Sequence, residues 1–188
     1  MAQLEVLVWP HPILETKAEP VTNFDVEFRQ FVAAMHETMH ASGGIGLAAN
    51  QVGHLRRVLV IEIPWSGGRG DGDSKEKQQW WHNKKFTFVN PVIVKREGKI
   101  KWQEGCLSFP EVFDFVDRAA DIWVKYQDEH GKEHEIHAND LLSVCLQHEI
   151  DHLDGVVFFR RMTRFKAEMV QKKMLRRGSV NAIKKETV

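Results

Sequence analysis

The sequence predicts an α+β fold: mixed or antiparallel strands packed around a central buried helix, with an amphipathic helix near the N-terminus and a basic helix at the C-terminus. Three observations lead there. Helix-like and strand-like periodicities do not alternate as the βαβ units of a doubly wound sheet require. The segment Leu141–Leu153 is apolar nearly all round a helical wheel, the mark of a helix inside a core. Asp121–Tyr126 and His134–Ala138 flank the turn-like Asp128–Lys132 and read as a hairpin.

The elements follow in order. Pro10, Pro12 and Pro20 punctuate an irregular N-terminal arm. Thr22 with Asp25 three residues on resembles a capping box. Phe24, Phe28, Phe31, Val32, Met35 and Met39 then recur at helical spacing, so a helix is expected over roughly Asp25–Ala41, ended by Gly43, Gly44 and Gly46. Arg57–Ile63 is strand-like; Trp65–Lys85 is polar, glycine-rich and lysine-rich, a surface loop. Phe86–Val94 and Ile100–Trp102 are extended, with a turn at Glu97-Gly98. The helix Leu141–Leu153 is stopped by Gly155, and Phe165–Arg176 forms the last helix, within a helix-and-tail segment over 164–188.

At 188 residues the chain is expected to form a single catalytic-sized domain, 1–188, with a substantial core. Its formal net charge is zero, which advertises neither nucleic acid nor membrane. Charge is uneven, however: from Arg160 onward ten Lys and Arg face two Glu. The first residues lack the basic and apolar regions of a signal peptide, and no run approaches the ~18–20 apolar residues of a membrane span. Two cysteines, Cys106 and Cys145, fit ligand or buried-thiol roles in a reducing compartment. A cytoplasmic location is the expectation.

The buried helix carries His148, Glu149 and His152. Unpartnered burial of ionisable groups costs several kcal/mol, so something must compensate. His148-Glu149-x-x-His152 sets two imidazoles about 6 Å apart along one helix face, where they can share a metal ion. Glu149 then reaches a water whose pKa the metal has lowered, and can shuttle its proton. Two core histidines bonded to neighbouring groups are the other reading. His36-Glu37-Thr38-Met39-His40 matches the same pattern, but there Glu37 points away from the apolar stripe and the histidines lie on its flank. They are expected to be surface or boundary residues.

A third ligand is needed. Cys145 lies ~7 Å up the helix from the expected metal position, too far for its short side chain, and is expected in the pocket wall or core. Cys106, in Glu104-Gly105-Cys106-Leu107-Ser108, is free of that constraint. One thiolate and two imidazoles suit Zn(II) or Fe(II) and leave a position for water. Gly44-Ile45-Gly46-Leu47-Ala48-Ala49 formally fits a dinucleotide-binding fingerprint, but it follows a helix rather than a strand. No dinucleotide is expected. Gln51, just beyond, offers an amide N–H suited to an oxyanion.

Together, Gly44-Ile45-Gly46-Leu47-Ala48-Ala49-Asn50-Gln51, Glu104-Gly105-Cys106-Leu107-Ser108 and Gln147-His148-Glu149-Ile150-Asp151-His152 resemble, in order and separation, the three motifs of the peptide deformylase family. The resemblance runs from the N-terminal arm to the last helix. It implies removal of the formyl group from N-formylmethionyl nascent peptides. Cys106, His148 and His152 would hold one divalent metal, Fe(II) in the cell and replaceable by Zn or Ni. Glu149 would be the acid/base; the Gln51 side chain and the Leu107 backbone N–H would form the oxyanion hole. Ile45 and Gly46 would line the substrate channel, with Val144 and Cys145 near the methionine pocket. The basic terminal helix would dock on the ribosome, or be a solvated face.

Departures from the family pattern are Phe109, where an aliphatic residue is usual, and Phe113 followed by Asp114-Phe115, where polar or basic residues are common. The Trp65–Lys85 loop is long, and its Trp80-Trp81 pair covers the site, seals an interface or packs back on the domain. A zinc peptidase, a non-catalytic metal module and a Cys106 nucleophile with His148 as base are the competing functions. The first lacks its downstream ligand, the second wants a fourth ligand, and the third predicts activity without metal.

Overall fold

The computed structural model describes residues 3–64 and 79–186, with side chains as far as Arg177. Three helices, α1 (Val26–Ala41), α2 (Asp140–Leu153) and α3 (Arg164–Glu186), accompany seven strands. These are β1 (Gly46–Ala48), β2 (Val58–Glu62), β3 (Lys85–Glu97), β4 (Ile100–Cys106), β5 (Phe109–Arg118), β6 (Asp121–Gln127) and β7 (Glu133–Asn139). Five strands form one sheet in the order β1-β2-β3-β6-β7; β4 and β5 form a separate ribbon. Every paired neighbour is antiparallel. The α+β class and the buried central helix are as the sequence predicts.

The run Val58-Leu59-Val60-Ile61 shows why the helices take opposite faces. Side chains alternate along a strand, so all four are buried only if both faces are covered. Leu59 and Ile61 pack with Leu142, Leu146 and Ile150 of α2. Val58 and Val60 pack with Phe28, Val32 and Met35 of α1. A third cluster joins Trp9 and Leu14 of the N-terminal arm to Phe109, Val112, Phe158 and Met174, seating α3 and β5 together.

Several expectations shift in detail. The α1 cap is Asp25, whose carboxylate accepts from the Phe28 N–H at 2.8 Å, so Asp25 takes the role assigned to Thr22. The turn at Gly98, with φ of 63°, lies where the sequence predicts it, and it joins strands of different sheets. Helix α3 runs ten residues past Arg176, to Glu186. Of the long loop, residues 65–78 lie outside the described residues. Trp81 packs back: it is buried, and its indole N–H donates to Asn139 Oδ1 at 3.2 Å. Trp80 stays half exposed against Phe86 and Lys84. No helix among the described residues is long and apolar enough to cross a membrane.

Candidate metal centre

Helix α2 buries eleven of its residues, including His148, Glu149 and His152. Its apolar face is taken by the five-stranded sheet, and the β4–β5 ribbon meets the polar one. Between Gly105 and Cys106 the ribbon's register shifts: Gly105 pairs with Phe113, Cys106 with Phe109. Pro110, Glu111 and Val112 therefore have no partner on β4, a bulge that re-aims the neighbouring side chains. Cys106 is thereby delivered to α2. Ligand atoms of Cys106, His148 and His152 all lie within 4.8 Å of one another. Among the described residues this is the one such cluster.

Cys106 Sγ stands 3.2 Å from His152 Nε2. His148 Nδ1 lies 2.8 Å from Glu104 Oε2, which leaves its other ring nitrogen for the cluster. Glu104 in turn receives Arg118 in bidentate fashion, Nε–Oε1 at 2.7 Å and Nη2–Oε2 at 2.9 Å. The remaining Arg118 amino group donates to Asp151 at 2.5 Å, and Arg161 grips the same carboxylate. Burial acts to raise the Glu104 pKa, but the Arg118 and His148 hydrogen bonds outweigh it and hold the carboxyl down at about 2. Glu104 is thus a fixed anion behind His148. Burial holds the His152 imidazole well below its usual range and so neutral, the form in which an imidazole can bind a metal ion.

Glu149 has the opposite environment. Burial pushes its carboxyl up to about 7, against the pull of His148. Its Oε2 is buried without a hydrogen-bond partner. A proton-transfer group facing an ion and its water has this character, and the thiolate–imidazole donor set fits one divalent cation. Gly46 is required beside it: a Cβ there would come within 2.6 Å of Glu149 Oε1 and 2.8 Å of Cys145 Sγ. Gln51 anchors its carbonyl on the Ala48 N–H at 2.8 Å. This turns its amide N–H toward Ser108 Oγ at 3.3 Å and Cys106 Sγ at 3.7 Å.

A cavity of about 580 Å³ opens onto this constellation. Ile45, Gly46, Gln51, Cys106, Leu107, Val144, Cys145, His148 and Glu149 all line it; of the ten residues the sequence singles out, only His152 does not, sitting behind. Cys145 is wall: burial, then Glu149, push its thiol well up, which keeps it neutral. His36 and His40 do not converge; one ring faces Thr87 at 3.3 Å and the other Glu62 at 2.9 Å. Trp102 also lines the cavity, and neither it nor the Glu104–Arg118 pair is marked by any pattern in the sequence. Glu104 lies two residues before Cys106, but no spacing in the sequence joins it to Arg118.

The profile of the polypeptide deformylase family matches residues 3–168. The peptide deformylase of Wolinella succinogenes is 40% identical over 174 residues, 93% of this chain and 96% of that protein. The crystal structure of peptide deformylase from Ehrlichia chaffeensis superposes with a TM-score of 0.84 at 36% identity, covering 96% of this chain and 99% of that one. The same enzyme in complex with actinonin gives 0.83 at 38% identity, over 94% and 98%. With the fold, the three motifs and this extent of likeness in agreement, the chain belongs to the polypeptide deformylase family.

Proposed function

We propose that this cavity removes the formyl group from N-formylmethionyl peptides, with Cys106, His148 and His152 holding the divalent metal and the chain acting as one catalytic domain. The observation that carries the assignment is the buried, unpartnered Glu149 oxygen beside a Cys-His-His cluster. A divalent cation, when bound, supplies Lewis acidity that brings a water pKa toward neutrality and polarises a carbonyl oxygen. Glu149 takes the proton of the attacking water and returns it to the methionine nitrogen as the C–N bond breaks, giving formate and a free amine. The Gln51 amide and the Leu107 backbone N–H donate to the formyl oxygen as it gains negative charge. Ile45 and Gly46 border the peptide, and Val144 and Cys145 bound the methionine side chain.

The finer assignments rest on the donor set and the family. One thiolate with two imidazoles suits Fe(II) or Zn(II) alike; it is the family likeness that favours Fe(II) as the native ion, with Zn or Ni as substitutes. A substrate made by bacterial-type translation supports a cytoplasmic location. The basic helix supports docking on the ribosome through exposed Lys172 and Arg176, since Lys166 and Arg177 pair with Asp114 and Glu111 of the chain itself. Reversing Lys172 and Arg176 to Glu should weaken ribosome co-sedimentation several-fold at low salt (~50 mM); undiminished co-sedimentation rejects that partner.

Activity is tested with a short formyl-Met peptide, comparing protein loaded anaerobically with Fe(II), the same protein after chelation, and the chelated protein reloaded. Formate release is expected in the first, loss by at least ~100-fold in the second, and recovery in the third. Undiminished turnover after complete metal removal would instead favour a Cys106 nucleophile.

A further inference from the structure

The second His-Glu-x-x-His run, His36 to His40, plays no part in the metal centre. It lies on α1 against the neighbouring ends of β2 and β3, where its rings reach Glu62 and Thr87. One turn apart on a helix, the two histidines stand ~6 Å apart along one face, the spacing that His148 and His152 share. Glu62 adds a carboxylate from β2. Its Oε2 is 2.9 Å from His40 Nε2, yet that oxygen is buried and accepts no hydrogen bond. The two atoms lie side by side without the ring N–H being aimed at the oxygen. Donors bound to one ion at ~2.1 Å stand ~3.0–3.4 Å from each other, close to this separation.

His36 is short of partners too. Its Nδ1 is buried with none, and its Nε2 has a long 3.3 Å contact to Thr87 Oγ1. Among the described residues the unsatisfied buried side-chain atoms gather at two places: Glu149 Oε2 and His152 Nδ1 at the metal centre, and His36 Nδ1 and Glu62 Oε2 here, with Asn50 Oδ1 apart from both. A cavity of about 450 Å³ opens beside the two histidines, and His130 borders it from the β6–β7 turn. Around them the carboxylates of Glu37, Glu62 and Glu129 outnumber the cations of Arg29 and Lys85, a balance that favours a bound cation. The three ligands are spaced more loosely than Cys106, His148 and His152, which lie within 4.8 Å of one another. His40 closes the gap, because its side chain is 44% exposed and has room to turn.

We propose that His36, His40 and Glu62 form a second metal site, which takes one divalent cation of the Zn(II) class and ties the end of α1 to β2. Two imidazoles and one carboxylate suit such an ion. The Glu62 N–H donates to the Ile45 carbonyl at 3.0 Å, so the ion braces the segment that joins α1 to β1. The test is a zinc titration of the holoenzyme with its Cys106 centre filled by Ni(II), using equilibrium dialysis with both metals counted in the same samples. One zinc per chain should bind with a Kd of roughly 1–100 µM while the nickel is retained. His40→Ala and Glu62→Gln should each weaken that zinc by at least about tenfold and leave turnover of a formyl-Met peptide unchanged. Saturating zinc should raise the unfolding midpoint of the wild type by about 2–4 °C and that of His40→Ala by much less. Zinc that only displaces nickel, no zinc bound at about 100 µM, or a second equivalent that both variants keep overturns the proposal.

Discussion

Replacing Glu149 with Gln is expected to lower kcat on a formyl-Met peptide by about 10²–10⁴-fold while the metal stays bound. That loss corresponds to roughly 3–5 kcal/mol of barrier. Glutamine has nearly the same shape, so it fits the space bounded by Gly46 and Cys145 without repacking them. It cannot accept the water proton or deliver one to the departing amine. Nothing nearby replaces it. Glu104 is spent on Arg118 and His148, and the Cys145 thiol is held neutral. Metal content and kcat measured on the same preparation separate the two roles. Full metal occupancy with kcat within tenfold of wild type would remove Glu149 from proton transfer.

The parts of the site that were legible in the sequence are those whose chemistry contradicts their surroundings. His148, Glu149 and His152 stand on a helix with no exposed face to hold them, so their polarity had to be functional or paired. His36 and His40 match the same spacing, yet α1 has a wet flank, and the structure pairs each with a different neighbour. Gly46 shows a different limit. The motif marked it, but only packing reveals that its missing Cβ makes room for the Glu149 carboxylate. Two strands escaped notice for physical reasons. β1 is three residues long, too short to show a period. β5 places Val112 and Val116 inward and Phe113 and Phe115 outward, so apolar residues on both faces erase its alternation. The Glu104–Arg118 pair was invisible because it depends on the pairing of β4 with β5, which local periodicity does not specify.

Arg118→Met is expected to cost about 3–5 kcal/mol of stability, because it strands carboxylates inside the protein. Arg118 is almost wholly buried, with both Glu104 oxygens and one Asp151 oxygen as its partners. Its loss leaves Glu104 buried with only His148 for company. Asp151 fares better, since Arg161 also grips it. Arg118→Lys is not a rescue: a single ammonium cannot reproduce the planar fork on Glu104 while reaching Asp151. Glu104→Gln isolates the other function of the network. The shape is kept, but the anion that orients the His148 ring is gone, and metal affinity should fall about 10–100-fold. The double variant Glu104→Gln/Arg118→Met should then be more stable than Arg118→Met alone, since the stranded charge has been removed along with its partner. Denaturant midpoints of the four proteins, read beside metal retention against a chelator, give both terms of the cycle. If Arg118→Met stays within about 1 kcal/mol of wild type, the arginine does not compensate Glu104. If Glu104→Gln holds metal as tightly as wild type, the carboxylate does not position His148, and His148 must be oriented by the packing of α2 alone.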